Sequence, residues 1–64
     1  MEVYVLEEHD YEVVYYWMDL LGNFHEKTDE ITCSRETIRE YIQSLQSHNN
    51  IIVRVIEDGI NVYE

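Results

Sequence analysis

There is no proline in this chain, and only two glycines, one cysteine and four lysines plus arginines. Each scarcity excludes something. A single thiol forms no intramolecular bridge, so a disulfide scaffold is ruled out and a reducing, cytoplasmic setting is expected. Four cations against 14 Asp and Glu leave a formal charge of -10. Tight binding to DNA or RNA needs Lys and Arg to release phosphate counterions, so no direct nucleic-acid contact is expected. No apolar run approaches the roughly 18 residues of a membrane span, and no basic n-region precedes a signal-like stretch, so no membrane partner is expected. What is present is enough for a core. Hydrophobic residues make up 45% of the chain, rich in β-branched and aromatic types, which argues against disorder. With 64 residues the chain builds one core, and residues 1–64 are read as a single domain.

The acids are unevenly spread. Residues 1–30 hold nine of them against Lys27 alone, residues 31–54 are close to neutral, and Glu57, Asp58 and Glu64 close the chain. Crowding like charges raises the energy of the compact state, and a charge of -10 exceeds the roughly 2–8 that keeps a small domain soluble. A solubilising surface is one explanation; a basic partner is the other.

Tracts rich in Val, Ile, Tyr and Thr predict strands over Met1–Glu8, Tyr11–Asp19, Phe24–Thr32, Ile51–Glu57 and Ile60–Tyr63. Turns are expected at Glu8-His9-Asp10, at Leu20-Leu21-Gly22-Asn23 and at Asp58-Gly59, the last a strong hairpin signal. Ile38, Tyr41, Ile42 and Leu45 fall at i, i+3, i+4 and i+7 and predict a helix over 34–48. Ser34 is its N-cap, Cys33 and Ile38 stand at the positions of a hydrophobic staple, and Asn49 or Asn50 ends it. Arg35, Glu36, Arg39 and Glu40 lie on its outer faces, with Glu36 and Arg39 spaced for an ion pair. The order β-β-β-α-β-β predicts an α+β fold with one helix packed on a mainly antiparallel sheet. Strands 1 to 3 are expected as a meander, and Ile51–Glu57 as a parallel neighbour of strand 1.

The strand Tyr11–Asp19 is apolar on both faces. Tyr11, Val13, Tyr15 and Trp17 alternate with Glu12, Val14, Tyr16 and Met18, whereas a sheet covered on one side predicts a clean apolar/polar alternation. In Ile51–Glu57, Ile51, Val53 and Val55 are expected on one face and Ile52, Arg54 and Ile56 on the other. One helix covers one face, so the second is expected to meet a partner, a second copy of the chain being one candidate. Tyr11, Tyr15, Tyr16, Trp17 and Met18 are therefore the candidate interface residues, and Glu7, Glu8, Asp10, Glu12, Asp19, Glu26, Asp29 and Glu30 the candidate acidic contacts.

No chemistry-bearing motif emerges. His9, His25, His48 and Cys33 lack metal-ligand spacing, no Gly-rich phosphate loop is present, and paired carboxylates do catalysis only in a cleft that desolvates one of them. Neither an enzyme nor a cofactor nor a metal is expected. The run Asp10-Tyr11-Glu12-Val13, Asp19 before Gly22, a Ser-capped helix and the strand Ile51–Ile56 together resemble, in order, the small dimeric phage inhibitors of uracil-DNA glycosylase. That family consists of acidic DNA mimics that occupy the enzyme's DNA-binding groove. The size and charge are also similar to those of anti-CRISPR and other anti-defence proteins. The helix differs, exposing Arg35, Glu36, Arg39 and Glu40 rather than aromatic residues. The resemblance implies a phage-encoded inhibitor, acting in the host cytoplasm on a basic, nucleic-acid-handling protein. The competing expectation is a small homodimeric structural or regulatory module with no nucleic-acid link.

Overall fold

The computed structural model describes residues 7–63, which form a four-stranded antiparallel sheet with one helix on one face. The elements in chain order are β1 (His9–Met18), β2 (Phe24–Cys33), α1 (Arg35–Ser47), β3 (Ile51–Glu57) and β4 (Ile60–Asn61), and the sheet order is β2-β1-β3-β4. The α+β class expected from the sequence is the one observed. The strand expected over Met1–Glu8 lies outside the described residues apart from Glu7 and Glu8, which are exposed and carry no strand structure. The expected three-strand meander is not formed, because β1 is paired along one edge by β2 and along the other by β3 and has no edge free for that strand; the expected parallel pairing with Ile51–Glu57 lies outside the described residues.

The chain returns from α1 to place β3 antiparallel to β1, with β2 on the opposite side of β1. β1 and β2 form a long hairpin, and β3 completes the sheet against its inner strand β1. β1 starts two residues earlier than expected, so His9 and Asp10 are strand rather than turn. The reason lies at the β3–β4 turn: Asp58 N–H donates to the Asp10 carbonyl at 2.9 Å, and the Asp58 carboxylate accepts from Asp10 N–H at 3.0 Å and from His9 Nδ1 at 2.6 Å. That turn is the expected Asp58-Gly59 pair, with φ of 49° and 86°, the double positive φ that favours this dipeptide.

The helix forms where its stripe and caps place it. Ser34 has extended backbone and its Oγ accepts from Thr37 N–H. Cys33 and Ile38, flanking the cap, both enter the core. At the other end Asn49 takes φ 65°, and the N–H groups of Asn49 and Asn50 donate to the carbonyls of Gln46 and Leu45, the two bonds of a Schellman closure with Asn in place of glycine. The expected Glu36–Arg39 pair is not among the ion pairs of the described residues; Arg35 instead reaches Glu57 on β3 at 2.9 Å.

The core is Tyr11, Val13 and Tyr15 of β1, Ile52 and Val55 of β3, Cys33 and Ile38, with Ile31, Tyr41, Ile42, Leu45 and Tyr63 packed around it. The first of the two residue sets on β1 thus faces α1. In β3 the two expected sets are reshuffled. The register passes from Val14 opposite Arg54 to Tyr15 opposite Ile52, leaving Val53 without a partner. A bulged residue reverses the alternation from that point. Ile52, Val55 and Glu57 therefore share the helix side, while Ile51, Arg54 and Ile56 face away.

Candidate interaction surface

The register defines the face of the sheet that α1 leaves open. β1 contributes Asp10, Glu12, Val14, Tyr16 and Met18; β2 contributes Thr32, Glu30, Thr28, Glu26 and Phe24; β3 contributes Ile56, Arg54 and Ile51. This face has two halves. At the end where β1 begins, Asp10, Glu12 and Glu30 border a depression of about 530 Å³ together with Thr32 and Ile56. Thr32 Oγ1 donates to Asp10 at 2.8 Å. Glu12 and Glu30 stand directly opposite each other in the ladder, and among the described residues neither makes an ion pair or a side-chain hydrogen bond. Like charges in that position destabilise a sheet.

At the other end the face is apolar. Tyr16, Phe24 and Ile51 line a hollow of about 240 Å³, with Met18 directly opposite Phe24. Val14, midway, is only 3% exposed although α1 does not cover it; it lies between Thr28 and Arg54 in the ladder. Glu26 sits beside the hollow, accepting from Tyr16 OH at 3.4 Å. The apolar surface continues around the β1–β2 turn, where Leu20 and Leu21 are almost fully exposed and Trp17 is partly so. Six of the nine large apolar residues exposed among the described residues cluster here. A 13-residue helix reaches about 20 Å, whereas the ten-residue strands of the hairpin run about 33 Å, so α1 leaves the hairpin end uncovered.

The candidate acids divide accordingly. Asp10, Glu12, Glu26 and Glu30 share the open face, and Glu7 and Glu8 are exposed just before it. Asp29 does not join them. It points to the helix side, accepting from Tyr15 OH at 3.1 Å and, at close range, from Tyr41 OH; burial, and then Asp29, push the Tyr41 hydroxyl pKa well above its usual value. Asp19 builds the hairpin turn. Its Oδ1 accepts from the N–H groups of Leu21 and Asn23 at 2.9 Å each, and its Oδ2 lies 2.7 Å from His25 Nε2. The His25 hydrogen bond, helped by Asn23, holds the Asp19 pKa below the carboxylate range. The aromatic candidates divide as well. Tyr11 and Tyr15 are core residues under α1, Trp17 stacks on His25 with ring centroids 4.7 Å apart, and only Tyr16 and Met18 reach the open face.

Sequence reasoning passed over Phe24, Ile51 and the cluster at the opposite end. Phe24 pairs across from Met18, which the turn between them implies; Ile51 parts from Val55, with which strict alternation groups it, because nothing in Ile-Ile-Val-Arg-Val announces the bulge. In the cluster, His9 Nδ1 donates to Asp58, while Glu57 accepts from Arg35 at 2.9 Å and from Tyr11 OH at 3.0 Å. The Asp58 hydrogen bond raises the His9 pKa, His9 lowers that of Asp58, and Arg35 lowers that of Glu57. His9, Glu57 and Asp58 lie close enough to offer ligand atoms to one cation, but His9 Nδ1 and both carboxylates are already hydrogen-bonded within the protein, while His9 Nε2 is buried without a hydrogen-bond partner, 3.7 Å from Glu7. The cluster works as a tether between β1, the helix start and the β3–β4 turn.

No protein-family model, no curated protein and no solved structure matches the chain. No helix among the described residues is long and apolar enough to cross a membrane.

Proposed function

We propose that this chain is a non-enzymatic binding protein whose open sheet face docks on a basic surface of a nucleic-acid-handling protein, its carboxylates standing where phosphates would. One observation carries the reading: Asp10, Glu12 and Glu30 converge around a depression, and among the described residues no cation is paired to Glu12 or Glu30. A fold that only needed charge for solubility has no reason to oppose two glutamates across one ladder rung, because the repulsion is a cost without return. A lysine or arginine from a partner removes it. The neighbouring Tyr16–Phe24–Ile51 hollow supplies apolar contact that holds the complex, while the acids speed encounter and set orientation. A phage-type inhibitor of a host nucleic-acid or defence enzyme is the form this activity takes, in line with the size and acidity of the chain. The test is retention of proteins from a bacterial lysate across a salt series, with Glu12→Gln/Glu30→Gln beside the wild type. Nucleic-acid-binding proteins held at low salt by the wild type alone, and displaced by added DNA, support the reading; their absence at low salt overturns it.

A second reading, a homodimeric regulatory module, is favoured by the apolar end of the hairpin. So small a domain gains by covering Met18, Leu20, Leu21 and Phe24 with a second subunit. It calls for no basic partner, and sedimentation of the pure protein tests it.

A further inference from the structure

The hairpin turn is a rigid apolar knob. Asp19 fixes it through two backbone N–H groups and His25, Gly22 supplies the positive φ of 85° that the bend needs, and Leu20 and Leu21 project from it into solvent. The same chain carries a matching hole. Between α1 and the β3–β4 end lies a groove of about 400 Å³, with Ile38 and Val55 at its floor, Ile42 and Val62 on its walls, and Arg35 and Arg39 at its rim. Charge offers one further match. The knob is flanked by Glu26 and by Asp19, the latter already held by His25, and of the groove's two arginines Arg35 is paired with Glu57, which also lines the groove, so Arg39 is the cation without an ion pair among the described residues. No chain can fill its own groove, because Tyr11 beside the groove and Leu20 at the tip are nine residues apart along one strand direction, roughly 30 Å.

We infer that two copies pair in antiparallel fashion, each inserting Leu20 and Leu21 into the other's helix–strand groove. This inference rests on the dimer reading above and specifies the surfaces it uses. A two-fold axis lets both knobs seat at once, so each contact is made twice and the assembly closes; a one-sided contact would propagate into open chains. Because Asp19 orders the turn before binding, little conformational freedom is lost on insertion. The acidic half of the open face takes no part and stays available on both subunits.

Sedimentation equilibrium of the full chain from micromolar to millimolar concentration is expected to give a closed dimer and no larger species. Leu20→Ser/Leu21→Ser is expected to weaken it at least about a hundredfold; circular dichroism checks that this variant, altered only in an exposed turn, keeps its fold. Mixing the Leu21→Cys and Gln43→Cys chains under mild oxidation places one thiol on the knob and one in the groove wall, while native Cys33 is buried. A disulfide between the two different chains is expected to dominate. A monomer at every concentration overturns both the dimer reading and this inference. A dimer indifferent to the leucine changes, or one linked mainly Leu21→Cys to Leu21→Cys, overturns the inference alone.

Discussion

Replacing Glu30 by lysine should make the isolated protein more stable, an unusual outcome for a surface change. Glu30 faces Glu12 across the β1–β2 ladder, with Asp10 and the depression beside it. The substitution turns a repulsive cross-strand pair into an attractive one. Cross-strand pairs contribute roughly 0.2–1 kcal/mol each, and both partners are solvent-accessible, so the gain is set near the middle of that range, about 0.5 kcal/mol. For a domain of this size that corresponds to about 2–4 °C in Tm. Urea unfolding at low salt is the assay: the midpoint should rise with an unchanged slope, and the gain should shrink in concentrated salt as screening removes the repulsion. Glu40→Lys on the exposed face of α1 serves as control and should move the midpoint less. If Glu30→Lys leaves the midpoint unchanged or lowers it, Glu12 and Glu30 do not repel in the folded state, and the argument that the fold tolerates a cost for the sake of a partner fails. The stabilised variant should also lose binding to any basic partner, a trade of activity for stability of the usual kind.

Ile38→Ala removes a side chain buried against β1 and β3 and should cost about 2–5 kcal/mol in denaturant unfolding. Ser34→Ala removes the acceptor for Thr37 N–H and should cost about 1 kcal/mol, with loss of helix signal first on heating. The tether at His9 predicts a pH dependence. Since the folded state raises the His9 pKa above 6.5, its contribution is complete below that value and disappears as pH rises through the folded pKa. Since Glu57 and Asp58 are lowered, theirs is complete above the ordinary carboxylate range and disappears as pH falls through their folded values. The stability gap between wild type and His9→Gln should therefore be widest from about pH 4.5 to 6.5 and narrow on either side. A gap that widens toward alkaline pH contradicts the assignment.

Helix and hairpin were legible because their signals are local. The Ile38–Leu45 stripe, the Ser34 cap, the Asn pair at the C-terminus and Asp58-Gly59 each specify backbone conformation within a few residues. Partner choice between strands is not local. β3 lies against β1 because Ile52 and Val55 complete the core begun by Val13 and Tyr15, which no window of a few residues encodes. The bulge at Val53 is similarly silent, since Val suits either face of a strand, and without it strict alternation groups Ile51 with Val55 rather than with Arg54. The two-sided apolarity of Tyr11–Asp19 corresponds to a face, carrying Tyr16 and Met18, that α1 does not cover. Which carboxylates stay on that face depended on register: Asp29 and Glu30 are neighbours in sequence, yet one binds two tyrosines under the helix and the other faces solvent.

If Asp10, Glu12 and Glu30 form a receptor for cationic groups, a short oligo-arginine peptide titrated into the isotopically labelled protein will bind there, as followed at the backbone amides by NMR. Saturable shifts are expected to concentrate at Asp10, Glu12, Glu30 and Thr32, to be abolished in Glu12→Gln/Glu30→Gln and to be reduced by salt. Shifts spread in proportion to exposure over Glu7, Glu8, Glu36 and Glu40, with the double variant behaving like the wild type, would contradict it.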